Sequence, residues 1–320
     1  MTINRLILVT GGAGFIGTNV VRVLLQRGEH VRVLDNFSTG HRDNLLDILD
    51  DIELLEGDLR SIDTCHRAME GVSHVIHQAA LPSVPRSLDD PHTTHEVNAT
   101  GTLHLLIAAR TAGATRFVYA SSSSVYGPEP KLPRSESDLP NPISPYAVSK
   151  LAGENYCSAF WHSYGLETVA LRYFNVFGPR QRWDSPYAAA IPKFVRALSL
   201  GRQPTIFGDG EQSRDFTYVD NVVAANLLAL EATAAPGNTY NIGAGEKTSV
   251  NSLVRMIGEA MGVVPQADHV APRIGDVRDS LADITMASSH LGYSPTTTLT
   301  EGLPSTIVWL LQNPDSCVNN

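Results

Sequence analysis

Through the first half of the chain, short continuous apolar runs alternate with segments whose apolar residues recur at helical spacing. That alternation predicts parallel strands covered on both faces by amphipathic helices. The runs 5–10, 30–34, 52–56, 72–78, 116–120 and 167–171 read as six strands. Residues 15–27 form a helix that stops at Gly28, and 91–112 form one long helix. Ser144 is an N-cap and Pro145 a first helical residue, opening a third helix that continues to about Tyr164. The fold class expected is α/β, a right-handed, doubly wound parallel sheet. Beyond Arg172 the elements shorten to helices over 188–200, 219–232 and 250–261, with short strands near Ile206, Phe216 and Tyr240. This part is expected to form a smaller, substrate-shaping α/β domain from 175–215 and 246–320, the larger domain taking 1–174 and about 216–245.

Composition narrows the classes of function. The 320 residues are 42% hydrophobic and 18% charged, as in an ordinary globular protein. A net charge of −9 and a pI near 5.6 argue against a general nucleic-acid or anionic-membrane surface, so an anionic ligand needs a local cluster of arginines. The apolar run before the first glycines is too short for a signal-peptide core, and no stretch is long enough to span a bilayer. Cys65, Cys157 and Cys317 are odd in number and widely spaced, which suits neither a disulfide framework nor a metal motif. A cytoplasmic location is expected.

Candidate chemistry begins at GGAGFIG, which follows the first strand and opens the first helix. Gly11 and Gly14 let backbone approach a pyrophosphate, Gly17 lets helix pack on strand, and the helix N-terminus favours the anion. Asp35 ends the second strand, where a carboxylate accepts both hydroxyls of an adenosine ribose and repels a 2′-phosphate. NAD is therefore favoured over NADP, with Arg42 nearby. Asp58 either meets the adenine amino group or serves the cap of the helix beginning at Ser61. His77, at a strand end, reads as structural, and His92 and His95 lack a third metal ligand.

The serines Ser121–Ser124 stand at a carboxyl strand end, where open α/β sheets hold ligands. Six prolines from Pro128 to Pro145 mark an irregular loop that lines or covers the cleft. Tyr146 and Lys150 lie one turn apart on one helix face. Lowering a phenol from about 10 to neutrality takes roughly 4 kcal/mol of differential stabilisation. A neighbouring lysine and a helix N-terminus both act in that direction.

Taken together, GGAGFIG, LDNFSTG, GDLR, HQAA, SSSSVYG, SPYAVSK, LRYFNVFGPRQ, GDGEQSRDFTYVDNV, YNIGAG and GDVRDSLAD resemble the extended short-chain dehydrogenase/reductase family over nearly the whole chain. The chain is similar to the nucleotide-sugar 4-epimerases, and HQAALPSVPRSLDDP, YAAAIPKF and DSLAD are especially like bacterial UDP-N-acetylglucosamine 4-epimerases. The resemblance implies a Rossmann-type NAD-binding domain. It implies cofactor contacts from Gly11, Gly14, Phe15, Ile16 and Gly17, and from Asp35, Asn36, Ser38, Thr39 and Gly40. Asp58, Leu59, Gln78, Ala79, Ala80 and Asn98 follow, with Tyr146, Lys150, Tyr173 and Phe174 at the nicotinamide end. Pro82 stands where some epimerases carry a lysine, so that contact is not carried over.

The resemblance implies that Tyr146 takes the proton of the sugar 4-hydroxyl, that Lys150 keeps its phenolate pKa low and that Ser122 bonds the 4-oxygen. Related 4,6-dehydratases carry an Asp-Glu pair just after this serine; Ser123 and Ser124 have no carboxylate, which disfavours elimination. On the substrate it implies Asn175, Arg214 and Arg273 at the UDP phosphates and Asp276 at the ribose. Ile206 and Phe207 belong near the uracil, and Ser83, Ser122, Ser123, Tyr146, Ala189 and Ala190 along the substrate. Ser280 matches a gate beside the sugar C2 substituent, where serine leaves room for an N-acetyl group. A homodimer formed through the helices beginning at Pro91 and Pro145 is likewise implied. Two alternatives remain open: a UDP-glucuronate 4-epimerase using Arg86, Arg180 or Arg182 for the substrate carboxylate, and a non-catalytic dinucleotide sensor.

Overall fold

The computed structural model describes residues 5–128, 131–183, 187–272 and 277–314. Seven strands form its central sheet: β1 (Leu6–Thr10), β2 (His30–Asp35), β3 (Ile52–Glu56), β4 (His74–His77), β5 (Arg116–Ser122), β6 (Glu167–Tyr173) and β7 (Thr239–Ile242). Their order is β7-β6-β5-β4-β1-β2-β3, and every pairing is parallel. The expected doubly wound sheet is therefore present. Its strand order reverses between β1 and β4, which opens a crevice at the carboxyl ends.

Helix α1 (Phe15–Gln26) follows β1 and α2 (Ile62–Ala68) follows β3, while α3 (Val84–Asp89), α4 (Pro91–His95) and α5 (Gly101–Thr111) connect β4 to β5. Helix α6 (Pro145–Tyr164) connects β5 to β6, and α7 (Ala190–Ser199) and α8 (Val219–Glu231) lie between β6 and β7. The chain continues through α9 (Val250–Met261), α10 (Thr285–Leu291) and α11 (Leu299–Gln312).

The sheet is buried on both faces, which is why its strands read as unbroken apolar runs. On one face, Val20, Val21 and Leu24 of α1 share a core with Val222 and Ala225 of α8, continuing to Leu253 of α9 and Leu303 of α11. On the other, Cys65 of α2, Leu105 and Leu106 of α5 and Phe160 of α6 form a second core.

Several elements differ from expectation. The helix predicted over 91–112 is broken by a π-type turn at Glu96–Thr100. There Asn98 accepts from Leu81 N at 2.7 Å and donates to Leu81 O and to Ser149 Oγ, joining the loop after β4 to α6. Gly101 follows, where an added Cβ would come within 2.9 Å of Leu59 Cβ. Strand β4 begins at His74 because Val72 N is used in a turn to Met69 O. Phe216 lies between two-residue strands, Ser213–Arg214 and Thr217–Tyr218. The segment near Tyr240 is an edge strand of the main sheet. Strands β5 and β6 each run two residues beyond the expected end, carrying Ser121, Ser122, Arg172 and Tyr173 to the crevice.

Candidate active site

Two glycines fix the turn between β1 and α1. Gly11 has φ 68°, and a Cβ there would stand 2.7 Å from Ala79 Cα; at Gly17 it would stand 2.1 Å from Gly11 O. Only glycine fits such approaches. The cap of α1 at Gly14 has no side-chain partner and the first turn carries no acidic residue, so the helix presents its N–H groups to an anion. Across the turn, Asp35 Oδ2 accepts from Ala13 N at 2.9 Å and Oδ1 from Phe37 N at 2.8 Å. Burial pushes this carboxyl above its usual range while those bonds pull it down. Gly40 lies against both Ala13 and Asp35. A turn open to phosphate, ending at a carboxylate on the second strand, fits a dinucleotide.

Asn36, Asp58 and Gln78, also expected on the cofactor, follow the carboxyl ends of β2, β3 and β4. Asn36 donates to Asp58 Oδ2 and accepts from Ser38 N. Ser61 itself caps α2, while Asp58 is bound by Arg60, which pulls its carboxyl down to about 2. Gln78 donates to Tyr173 Oη at 2.8 Å and to Asn226 Oδ1 at 3.0 Å, and Ala79 N donates to Thr10 Oγ1. His77 is structural: Thr10 Oγ1 and Thr102 Oγ1 stand 2.7 and 2.8 Å from its two ring nitrogens.

At the carboxyl ends of β5 and β6 the crevice widens into a cleft of about 360 Å³. Ser122, Ser123, Tyr146, Asn175, Arg214 and Ser280 all border it, together with Ile16, Tyr173 and Phe174 from the cofactor side. Ser122 and Ser280, 158 positions apart in the chain, thus meet in one space. Ser144 caps α6 by accepting from Ala147 N, Pro145 is the first helical residue, and Tyr146 follows in the first turn, as its sequence predicts. Ser122 caps the next short turn, its Oγ accepting from Ser124 N and Ser124 Oγ.

The electrostatics differ from expectation. Burial pushes the Tyr146 phenol above its ordinary pKa, against the pull of a hydrogen bond from Ser122, whereas a lowered value is expected from the sequence. Burial also pushes Lys150 down to about 8, and Glu154 raises it. The reason is tertiary. Lys150 is buried between α6 and β5 and Tyr146 is half-buried in the cleft wall, and desolvation disfavours each charged form.

The cleft excludes some expected residues. Ala189 caps α7 and Ala190 opens it, and neither borders the cleft. Ile206 is buried, while Phe207 borders a second cavity with Gln212, Val270 and Pro272. Ser83 caps α3 at φ 95° and its neighbour Val84 enters the cleft. Arg273 and Asp276 lie outside the described residues. Arg86 stacks on Tyr187 at 4.9 Å, Arg180 is at φ 72° beside Arg22, and neither they nor Arg182 border the cleft. Among described residues no group of three or more His, Cys, Asp or Glu is arranged to hold a metal ion.

Residue-by-residue reading missed Tyr126, Arg134, Ile143 and Asp279, which also border the cleft. Arg134 is 4% exposed, donates from Nη2 to Gly127 O and faces the Tyr126 ring at 5.7 Å. Its signal was the proline-rich loop, which turns this arginine inward. The Asp279 carboxylate is held by Ser213, accepting from its N and Oγ.

Comparison with known proteins agrees with this geometry. Residues 7–243 match the model of the NAD-dependent epimerase/dehydratase family. The chain is 39% identical over 310 residues to a putative UDP-glucose 4-epimerase of Methanocaldococcus jannaschii, covering 96% of this chain and 99% of that one. Among solved structures it resembles the UDP-N-acetylglucosamine 4-epimerase of Methanobrevibacter ruminantium M1 in complex with UDP-N-acetylmuramic acid (TM-score 0.92, 38% identity, 97% and 99% of the two chains). It also resembles the UDP-glucuronic acid 4-epimerase of Bacillus cereus in complex with UDP-glucuronic acid and NAD (TM-score 0.90, 33% identity, 96% and 99%).

Proposed function

The chain belongs to the NAD-dependent epimerase/dehydratase family, and we propose that it is a UDP-sugar 4-epimerase acting chiefly on UDP-GlcNAc and UDP-GalNAc. The observation that carries this reading is the cleft in which Ser122, Tyr146 and Ser280 meet Asn175 and Arg214 beside the dinucleotide crevice. Residues 1–174 with about 216–245 are read as the cofactor-binding part, and 175–215 with 246–320 as the part that shapes the substrate site.

NAD, held at the Gly11–Gly17 turn and Asp35, would supply the hydride acceptor and donor for C4 when bound. Tyr146, as phenolate, takes the 4-hydroxyl proton while Ser122 donates a hydrogen bond to that oxygen. Lys150 offers the compensating cation. After the 4-keto sugar turns its other face, Tyr146 returns the proton to the oxygen and the alcohol re-forms with inverted configuration. Ser123 and Ser124 beside Ser122 supply no carboxylate for elimination, and the one carboxylate among the described cleft residues, Asp279, is engaged by Ser213. Arg214 borders the cleft as a cation for the diphosphate.

The preference for an N-acetyl sugar is supported by Ser280. Its Oγ is buried with no hydrogen-bond partner among the described residues, and leaving such a group unsatisfied costs about 1–3 kcal/mol. An acetamido group would satisfy it, and the small side chain leaves space. A second reading, epimerisation of UDP-glucuronate, is favoured by the buried cation Arg134 on the same cleft wall. Competing UDP-GlcNAc against UDP-glucuronate in one assay tests the choice: faster 4-epimer formation from the N-acetyl sugar is expected, and preference for the uronate would reverse it.

A further inference from the structure

Lys150 does not stand alone on its helix face. One turn further along α6 is Glu154, also buried, and successive residues of β5 hold the two. The Ala120 carbonyl accepts from Lys150 Nζ at 2.8 Å, and the Ser121 hydroxyl donates to Glu154 Oε1. From β6, Arg172 grips Glu154 with two bonds, Nε to Oε1 at 2.9 Å and Nη2 to Oε2 at 2.8 Å. Its guanidinium also covers the Tyr126 ring at 4.6 Å.

Burying an ion pair is expensive, and apolar residues of similar size often hold a helix to a sheet as well or better. A role beyond packing follows from what surrounds Lys150. From β5 the Tyr119 ring approaches its ammonium at 5.2 Å. From β4 the fully buried His77 feels its charge, and burial keeps that imidazole neutral. On its own helix stand Tyr146 and Glu154, and the nearby β6 cation, Arg172, is bound to Glu154. Of the ionisable groups here, Glu154 is the one whose charge raises the lysine against its burial, beside the neutral Tyr119 face and Ala120 carbonyl.

We propose that Glu154 is a positioning residue: anchored by Arg172 and Ser121, it keeps Lys150 protonated and aligned beside Tyr146. The use made of that cation rests on the epimerase reading, whereas the arrangement itself does not.

The chain has four lysines, Lys131, Lys150, Lys193 and Lys247, so lysine labelled with ¹³C at Cε gives a small set of titrating signals. The Lys150→Arg variant identifies the Lys150 signal. In the NAD-loaded enzyme, Glu154→Gln is expected to lower the Lys150 titration midpoint by about one pH unit, and to shift the alkaline limb of kcat downward with it. Because that change leaves Arg172 buried without its partner, Glu154→Gln combined with Arg172→Met is measured alongside, with the same downward shift expected. A Lys150 midpoint unmoved in both variants would overturn the proposal and leave Glu154 as a fold anchor. A shifted midpoint in an enzyme that epimerises no UDP-sugar would uphold the positioning role and reject the functional reading.

Discussion

Lys150 Nζ donates a 2.8 Å hydrogen bond to the carbonyl oxygen of Ala120, tying the lysine of α6 to the strand that ends in Ser121 and Ser122. The bond orients a buried amine one helical turn from Tyr146 and fixes its distance from the serines. Reactive groups held this way need little rearrangement when substrate arrives.

Tyr146→Phe should therefore abolish turnover without unfolding the protein. General acid–base residues contribute about 10²–10⁴-fold in rate, and a loss of at least that size in kcat is expected, with an unchanged melting temperature. Steady-state kinetics beside a thermal melt checks both. Retained kcat would remove Tyr146 from the proton path.

His77 predicts how stability responds to acid. Burial pushes its pKa down to about 3 from the ordinary 6.5, with the Lys150 charge adding to the shift. The folded state keeps this imidazole neutral while the unfolded chain protonates it below pH 6.5. Its contribution is thus fully present above 6.5 and lost as pH falls from 6.5 toward 3. At about 1.4 kcal/mol per pH unit, the window holds at most roughly 5 kcal/mol. Melting temperature measured against pH should fall through this range, and His77→Gln should flatten the fall; an unaltered slope would refute the assignment.

Gly17→Ala tests the turn that receives the cofactor. The new methyl would meet Gly11 O at 2.1 Å and Gly11 C at 2.8 Å, both backbone atoms that cannot rotate away. Overpacking of this kind costs about 1–3 kcal/mol, occasionally more. A lower melting temperature and loss of co-purifying NAD are expected, read by thermal melt and by absorbance of the denatured supernatant.

Ser280→Tyr should separate substrates. A ring in place of the hydroxymethyl would occupy the space beside the cleft wall. Steric selection in such pockets spans about 10–200-fold. The expected result is a drop of that order in kcat/KM for UDP-GlcNAc with UDP-glucose little affected; an equal drop for both would deny Ser280 its role at the C2 substituent.

Much of this architecture was legible in the residues. The strand–glycine–helix unit around Gly11, the carboxylate at Asp35 and the capped start of α6 are local features, set by turn chemistry and helix capping within a few residues. What the chain order concealed is tertiary. The rise of the Tyr146 pKa comes from desolvation in the folded cleft wall, which no spacing of tyrosine and lysine encodes. Arg134 turns inward because its backbone pairs with a distant segment, donating to Leu281 O and accepting from Asp283 N, each at 2.8 Å. The π-type turn at Asn98 likewise exists to meet Leu81 and Ser149.

The central claim is oxidation and re-reduction at C4 with no chemistry elsewhere on the sugar. Purified enzyme, without added NAD, is incubated with UDP-GlcNAc in D₂O and the products are followed by NMR and mass spectrometry. UDP-GalNAc should form with no deuterium on any ring carbon. Deuterium at C5 or C6, or the absence of any 4-epimer from UDP-GlcNAc, would contradict it.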